Sequence, residues 1–194
     1  MIPSVFFVIP ARGGSKRLYR KNLQKLLGKP LIQYAIEACK KSKYYDATNV
    51  FVTTEDQEIL EKSQEFGASV ISRPAHLAED GAWTQDVLQH AITQIPGFDE
   101  KNNSHILVRV QANSPQVQSV KIDECVQKLI QHSLWEVFTV DQDGIEDAAI
   151  HVMRSKCVNQ SALSVYKGIV QTDYIDIHNE ADLHRVAEMM RTSC

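Results

Sequence analysis

Two adjacent glycines followed by cations form the part of the sequence with the clearest chemistry. The run is Pro10-Ala11-Arg12-Gly13-Gly14-Ser15-Lys16-Arg17, and Lys21 and Asn22 follow it. Adjacent glycines permit a backbone whose N–H groups converge on phosphate oxygens, while the cations supply full positive charges. The run has neither the spacing of GxxxxGK[ST] nor the third glycine of GxGxxG. It predicts a polyphosphate-binding loop, although an ordinary turn would also explain Gly13 and Gly14.

The elements around this loop place it at the end of a strand. Residues 5–9 are a continuous β-branched and aromatic run that Pro10 ends, which is typical of a strand buried on both faces. Pro30 then starts a predicted helix, and apolar residues recur behind it on one helical face: Leu31, Ile32, Ala35, Ile36 and Cys39. Ligands of open α/β sheets bind at the carboxyl ends of strands, so the location fits a binding site.

Strand and helix patterns alternate along the rest of the chain. We predict strands at 50–53, 70–71, 106–110 and 137–140, and helices at 56–66, 84–94 and 119–132. Beyond Asp141 the pattern becomes irregular, with short β-rich pieces at 150–153, 164–166 and 174–177. A final helix follows, with Asn179 as N-cap, Asp182 completing a capping box, and an inner face of Ala181, Val186, Ala187 and Met190. One α/β domain over residues 1–194, with a largely parallel sheet and helices on both faces, accounts for the pattern.

The charge of the chain is strongly divided, although its composition is ordinary. The 194 residues are 43% hydrophobic and 23% charged, which excludes a disordered, fibrous or collagen-like protein. The net charge of −3 combines +9 over residues 1–45 with −12 over the remainder. Such a division indicates either a surface that binds anions or charged side chains on solvent-exposed helix faces. A nucleic-acid-binding module is disfavoured, because Tyr19 alone is interleaved with the cations.

The cysteines and the lengths of the apolar runs indicate the compartment of the protein. Four widely spaced cysteines, without a CxxC pair, are typical of reduced thiols in a cytoplasmic protein: Cys39, Cys125, Cys157 and Cys194. No apolar run approaches the roughly 20 residues that span a bilayer, and the first residues turn basic too soon for a signal peptide. We therefore expect a cytoplasmic location, with neither a membrane nor a nucleic acid as partner.

Five stretches, taken in order, carry a family resemblance. They are IPARGGSKRLYRKN from residue 9, VTTED at 52–56, RPAHLAED at 73–80, VQANSP at 110–115 and YIDIH at 174–178. Together they resemble the acylneuraminate cytidylyltransferases, or CMP-sialic acid synthetases, to which the CMP-Kdo synthetases are related. The resemblance implies a three-layer, Rossmann-like nucleotidyltransferase fold. It also implies a cytidylyltransferase that joins a sialic-acid-like or Kdo-like 3-deoxy-2-ulosonic acid to CTP with Mg²⁺, giving a CMP-sugar and pyrophosphate.

The resemblance implies roles for the glycine-rich loop. Arg12, Lys16 and Lys21 would be catalytic, with Lys21 stabilising charge at the α-phosphate. Phosphoryl transfer depends mainly on positioning and on neutralising charge, which fits a loop rich in cations. Asn22 would contact ribose or phosphate. The implied nucleotide-binding residues of this segment are Ala11, Arg12, Gly13, Gly14, Ser15, Lys16, Lys21 and Asn22.

Two residues of later motifs are also implied to contact substrate, each with a structural alternative. Arg73 would approach the nucleotide, or it would pair with Asp80 and anchor a loop. Gln111 would recognise the base or order the sugar site, or it would make only a hydrogen bond at a strand end. The sequence leaves these alternatives open.

The implied metal site departs from the family pattern of two aspartates two residues apart. Asp176 is present, but His178 stands at the second position. Mg²⁺ prefers hard oxygen ligands and usually takes one or two carboxylates plus substrate phosphates. Metal binding would therefore rest on Asp176 with phosphate oxygens, or recruit Asp173, and His178 is disfavoured as a direct ligand.

Other departures concern the acceptor. Asn113 stands where sialic acid synthetases tend to have Thr and Kdo synthetases a metal-binding Asp, and Val117 is near the place of a family arginine. The excursion that gives relatives dimer contacts and part of the sugar pocket is reduced between residues 144 and 165. The sequence therefore leaves open which sugar acid is the substrate and whether the protein forms a homodimer. The alternatives are a nucleotidyltransferase for another acceptor and a non-catalytic nucleotide-binding relative with a degraded metal site.

Overall fold

The computed structural model describes residues 4–160, 162 and 164–192, and a seven-stranded sheet runs through it. The strands are β1 (Val5–Pro10), β2 (Lys25–Leu26), β3 (Lys29–Pro30), β4 (Val50–Thr54), β5 (Ser69–Ser72), β6 (Ile106–Val110), β7 (Glu136–Val140), β8 (Glu146–Arg154) and β9 (Lys167–Gln171). The helices are α1 (Leu31–Lys40), α2 (Gln57–Glu65), α3 (Thr84–Gln94), α4 (Ser119–Gln131) and α5 (Glu180–Thr192). The strand order is β5-β4-β1-β6-β8-β7-β9, and β2 pairs with β3 in a separate hairpin.

The sheet is largely parallel, as the alternating pattern predicts. β1 runs parallel to β4 and β6, β4 to β5, and β7 to β9. β8 is antiparallel to both of its neighbours, β6 and β7. The reason is the short connection of residues 141–145 between β7 and β8, because parallel neighbours need a crossover of a dozen or more residues. The sequence pattern predicted only the later part of β8, at 150–153.

The central strands separate two apolar cores, which confirms helices on both faces. Side chains alternate between the faces along β1, so that Phe7 and Ile9 join one core and Val8 the other. Residues of α1, α2 and α4 pack in the first core, and residues of α3 pack in the second. Among the cysteines, Cys39, Cys125 and Cys157 are buried and free, while Cys194 lies outside the described residues.

The C-terminal part of the chain differs from the expectation of further strands. Ser164, Val165 and Tyr166 precede β9 rather than forming a strand, and Val165 is 87% exposed. Residues 174–177 also lie outside the sheet. Their backbone is instead held by the loop after β6: Ile177 N–H donates to Asn113 C=O at 3.0 Å, and Asn113 Nδ2 donates to Ile177 C=O at 2.9 Å. A loop replaces the sheet partner that a strand here would need.

The last helix, α5, begins just after this segment and is capped by side chains at its start. Asp182 N–H donates to Asn179 Oδ1 at 3.0 Å, and Asp182 Oδ2 accepts from the backbone N–H groups of His178 and Asn179, which confirms the capping box. Val186 is buried against Leu18 from the loop after β1. Ala181, predicted on this inner face, is exposed, and Leu183 packs there instead. In the part of the chain that the structure describes, no helix has the length and apolarity to cross a membrane.

Candidate functional site

A cleft of about 610 Å³ lies at the carboxyl ends of β1 and β6. Residues of four of the five resembling stretches line it. Those predicted from the sequence to contact substrate or metal are Arg12, Ser15, Lys16, Lys21, Asn22, Arg73, Gln111 and His178. Gly13 and Gly14 face an adjoining depression that shares Arg12, Lys16 and Asp80 with the cleft. Ala11 is buried beneath the loop, where its N–H donates to Thr53 C=O at 3.0 Å.

The glycine-rich loop is held against the start of α2. Gly13 N–H donates to Glu55 Oε1 at 2.8 Å, and a side chain at Gly13 would place its Cβ 2.8 Å from the Cβ of Asp56. Gly14 has open space around it. Asn22 Nδ2 donates to Arg12 C=O at 2.9 Å and closes the far side of the loop. Close approach to Asp56, rather than the freedom of an ordinary turn, therefore requires glycine at position 13.

Two of the predicted phosphate-binding cations share one carboxylate. Arg12 Nη1 donates to Asp80 Oδ1 at 3.0 Å and to Ala78 C=O at 3.3 Å, while Lys16 pairs with the second oxygen of Asp80. Hydrogen bonds from Lys16 and Arg12 hold the pKa of Asp80 below its usual value. An anion entering the cleft would meet cations that are already aligned and would compete with Asp80 for them.

Lys21 lies between this cationic group and the acidic segment. Burial lowers the pKa of its ammonium group; the charge of Asp176 acts against this, and the charges of Arg12 and Arg17 act with it. Within the described residues, no carboxylate oxygen lies within 4.0 Å of Lys21 Nζ. This half-buried ammonium is available to an incoming phosphate.

Arg73 does not pair with Asp80, so that structural alternative is wrong. Its side chain is 4% exposed, and Nη2 donates to Glu55 Oε2 at 2.6 Å. Asp80 is instead bound to Arg12 and Lys16. Among the described atoms, Arg73 Nε has no hydrogen-bond partner although it is buried.

Gln111 makes the hydrogen bond at a strand end and also lines the cleft. Its backbone N–H donates to Ala149 C=O at 2.9 Å and continues the pairing of β6 with β8, while its side chain lines the cleft. Arg109 Nη1 donates to Gln111 Oε1 at 3.4 Å, and Arg109 is buried with Glu146 at 3.8 Å. The side chain of Gln111 therefore faces the cleft, and its oxygen already accepts a hydrogen bond from Arg109.

The acidic segment supplies one carboxylate whose charge acts on Lys21, although Asp176, unlike His178, is not among the residues that line the cleft. Asp176 Oδ1 accepts from Ser114 Oγ at 2.6 Å, and Oδ2 lies 3.6 Å from His178 Nε2. Asp173 is exposed and does not line the cleft. No group of three or more His, Cys, Asp or Glu side chains suited to a metal ion occurs among the described residues. One carboxylate fits Mg²⁺ when substrate phosphates provide further oxygen ligands.

Of three residues that organise the cleft, the sequence assigned no part to Glu55 and Arg109 and gave Asp80 only as an alternative partner of Arg73. Glu55 and Asp80 belong to the second and third stretches of the resemblance, and Arg109 stands in the otherwise apolar strand β6. A charged residue inside an apolar strand was the available signal for Arg109, because a buried charge needs a partner. The contacts of Glu55 and Asp80 join residues 18 to 68 positions apart, which the sequence could not reveal.

Comparison with known proteins identifies the scaffold. The family model described as cytidylyltransferase matches residues 6–160. This chain belongs to the cytidylyltransferase family. The CMP:2-keto-3-deoxy-manno-octonic acid synthetase structure with CTP is 18% identical, with a TM-score of 0.77 over 98% of this chain and 99% of that chain. This likeness confirms the predicted fold of the cytidylyltransferase domain.

Curated relatives of this chain bear three names. The pseudaminic acid cytidylyltransferase of Campylobacter jejuni is 36% identical over 126 residues, which are 64% of this chain and 53% of the relative. The N-acylneuraminate cytidylyltransferase of Streptococcus agalactiae is 33% identical over 135 residues, 70% of this chain and 31% of the relative. The 3-deoxy-manno-octulosonate cytidylyltransferase of Francisella philomiragia is 36% identical over 129 residues, 66% of this chain and 47% of the relative. The matched region thus covers about a third to a half of each relative.

Proposed function

We propose that this cytidylyltransferase activates a sialic-acid-like or Kdo-like 3-deoxy-2-ulosonic acid with CTP, giving a CMP-sugar and pyrophosphate. The observation that supports this most is a cleft lined by Arg12, Lys16 and Lys21 on a cytidylyltransferase scaffold, with the charge of Asp176 acting on Lys21. The names of the curated relatives support the substrate class.

The proposed reaction is an in-line displacement at the α-phosphorus. The anomeric hydroxyl of the sugar acid forms a bond to this phosphorus and releases its proton to solvent, the bond to the β-phosphate oxygen breaks, and pyrophosphate leaves with the electron pair. Lys21 would stabilise charge at the α-phosphate, and Arg12 and Lys16 would bind the leaving phosphates after exchanging Asp80 for them. Charge neutralisation by fixed groups is the main demand of such a transfer.

We propose Mg²⁺ as the cofactor, held by Asp176 together with phosphate oxygens. The bond from Ser114 Oγ fixes the orientation of the Asp176 carboxylate, and Oδ2 faces His178 rather than a second acid. Bound there, Mg²⁺ would neutralise part of the negative charge of the triphosphate. His178 would act through the Asp176 carboxylate and not as a ligand.

The sugar acid would bind where short segments border the cleft. Gln111 and Asn113 line it, and the connection between β8 and β9 is limited to residues 155–166. We propose that a second copy in a cytoplasmic homodimer completes this part of the cleft, since the chain itself provides few groups there.

Pyrophosphate release tests the proposed function. The protein is incubated with CTP and a panel of ulosonic acids, with and without Mg²⁺. We expect Mg²⁺-dependent release with at least one acid, and a loss of kcat/KM of about 100-fold or more in Lys21→Met, because one charge-stabilising donor is worth that much. Lys25→Met is the matched control, since Lys25 is an exposed lysine of the neighbouring hairpin that does not line the cleft.

Two results would contradict the proposed function, and each indicates a different alternative. CTP binding without turnover on any acid indicates the non-catalytic nucleotide-binding relative, for which His178 beside Asp176 is the supporting observation. Thermal stabilisation by a purine nucleotide but not by CTP indicates a nucleotidyltransferase for another acceptor, because a ligand of the native state raises the melting temperature.

A further inference from the structure

Glu55 lies between two parts of the cleft that the sequence treats as separate motifs. It follows β4 directly and precedes α2. Its Oε1 accepts from Gly13 N–H at 2.8 Å, and its Oε2 accepts from Arg73 Nη2 at 2.6 Å. The two oxygens of one carboxylate thus bind the glycine-rich loop and the arginine that follows β5.

The electrostatics of Glu55 match this arrangement. Burial alone would raise its pKa, but the hydrogen bonds from Arg73 and from Gly13 N–H outweigh burial and hold the pKa below its usual value. Glu55 is therefore ionised at neutral pH. A single negative charge neutralises the buried guanidinium and accepts the loop N–H, and charge-assisted bonds of this kind are short and directional.

Arg73 keeps one buried donor that no described protein group satisfies. Nη2 is committed to Glu55, whereas Nε is buried and has no partner among the described atoms. Arg73 lines the cleft although its side chain is only 4% exposed. An unpaired buried donor costs free energy unless a ligand satisfies it, so the direction in which the guanidinium is fixed matters for binding.

We propose that Glu55 is a positioning residue that fixes Arg73 and the glycine-rich loop at one spacing, so that the loop and Arg73 bind the same nucleotide together. The inference rests on the proposed function and deepens it. Glu55 does not line the cleft and acts through Gly13 and Arg73. Asp56 completes the support sterically, because it packs against Gly13 where a side chain would stand.

The chemistry of the position favours Glu over its near relatives. Gln has one acceptor oxygen, and its NH₂ would face either the N–H of Gly13 or the guanidinium of Arg73. Asp keeps the charge but is one methylene shorter, so it could not reach both donors from the same backbone position. The bridge therefore requires both the charge and the length of Glu55.

Kinetics with CTP test the bridge. We expect Glu55→Gln to raise the KM for CTP about 10- to 100-fold, the worth of a hydrogen bond to a charged group, with a much smaller change in kcat. Glu55→Asp should fall between Glu55→Gln and wild type. Glu65→Gln, which breaks the exposed Lys62–Glu65 pair on α2, is the matched control and should behave as wild type. In an Arg73→Met background, Glu55→Gln should raise KM by a smaller factor, because the two residues act as one unit.

Amide hydrogen exchange of residues 11–17 provides a readout that needs no nucleotide. Exchange should accelerate in Glu55→Gln and Glu55→Asp but not in Glu65→Gln. Unchanged exchange in both Glu55 variants, or full additivity of the Glu55→Gln and Arg73→Met effects on KM, overturns the proposal. If wild type neither binds CTP nor releases pyrophosphate, the proposed function fails, and the exchange data still decide whether Glu55 holds the loop.

Discussion

Lys21 is the residue whose chemistry depends most on its surroundings. Burial in the cleft lowers the pKa of its ammonium; Asp176 opposes this shift, and Arg12 and Arg17 add to it. The side chain therefore loses its proton at lower pH than an exposed lysine does. Because the proposed role at the α-phosphate needs the positive charge, activity should decline on the alkaline side earlier than an ordinary lysine would allow.

Replacement by arginine tests this dependence. In Lys21→Arg the guanidinium stays charged at all accessible pH values, so the alkaline decline of kcat/KM should move to higher pH. The measurement is the pH profile of kcat/KM for CTP, which reports ionisations of the free enzyme. The absolute rate is expected to fall, because a guanidinium is not a geometric substitute for an ammonium group, but the position of the decline decides. Coincident alkaline limbs in the two proteins would contradict the role of Lys21.

At this scale the sequence predicted which cations meet in the cleft but not what holds them. Residue types and local spacing indicated Arg12, Lys16 and Lys21, all of which line it. The partner of the first two, Asp80, is 64 to 68 positions away, and local patterning carries no information on such contacts. The proposed Arg73–Asp80 pair was wrong because Glu55, at the end of the neighbouring strand, lies closer to Arg73.

Among the elements, the segment at 174–178 shows that apolar alternation alone does not establish a strand of the sheet. Its apolar alternation is that of a strand, yet it pairs with the loop after β6 because that loop offers backbone and amide groups of Asn113. The helices and the central strands were predicted to within a few residues, since a buried strand or a one-sided helix follows from local pattern alone. The partner with which a segment pairs does not follow from local pattern.

The attachment of this segment through Asn113 can be tested by mutation. Asn113→Ala leaves the buried C=O of Ile177 without its 2.9 Å donor, so the free energy of unfolding should fall by about 1–3 kcal/mol. Asp176 should then be held less firmly, and the Mg²⁺ concentration needed for half-maximal activity should rise. Denaturant unfolding and Mg²⁺ titrations measure the two effects. Asn103→Ala, at an exposed asparagine, is the control, and an unchanged Mg²⁺ requirement in Asn113→Ala would contradict the attachment.

Across the whole molecule, the divided charge becomes a spatial arrangement. The basic segment before residue 45 and the acidic segment near the C-terminus meet at the cleft, where Asp176 acts on Lys21. Hydrogen bonds hold the pKa of several carboxyl groups, at the cleft and away from it, below their usual values, namely those of Glu37, Asp46, Glu55, Asp80 and Glu136. The folded protein therefore binds fewer protons than the unfolded chain in mildly acidic solution.

These lowered pKa values make the folded protein less stable in acid. A carboxyl group with a lowered pKa in the folded state contributes stability that is present above its unfolded pKa of about 4 and is lost as the pH falls through the folded value. The free energy of unfolding should therefore be nearly constant from about pH 7 to about pH 5 and decrease below it. Glu55→Gln should be less stable than wild type at neutral pH, and the difference should shrink on acidification, because Glu55 is then protonated as well. Denaturant unfolding across this range measures both curves. A difference independent of pH would show that the stabilisation by Glu55 comes from packing and not from its charge on Arg73 and Gly13.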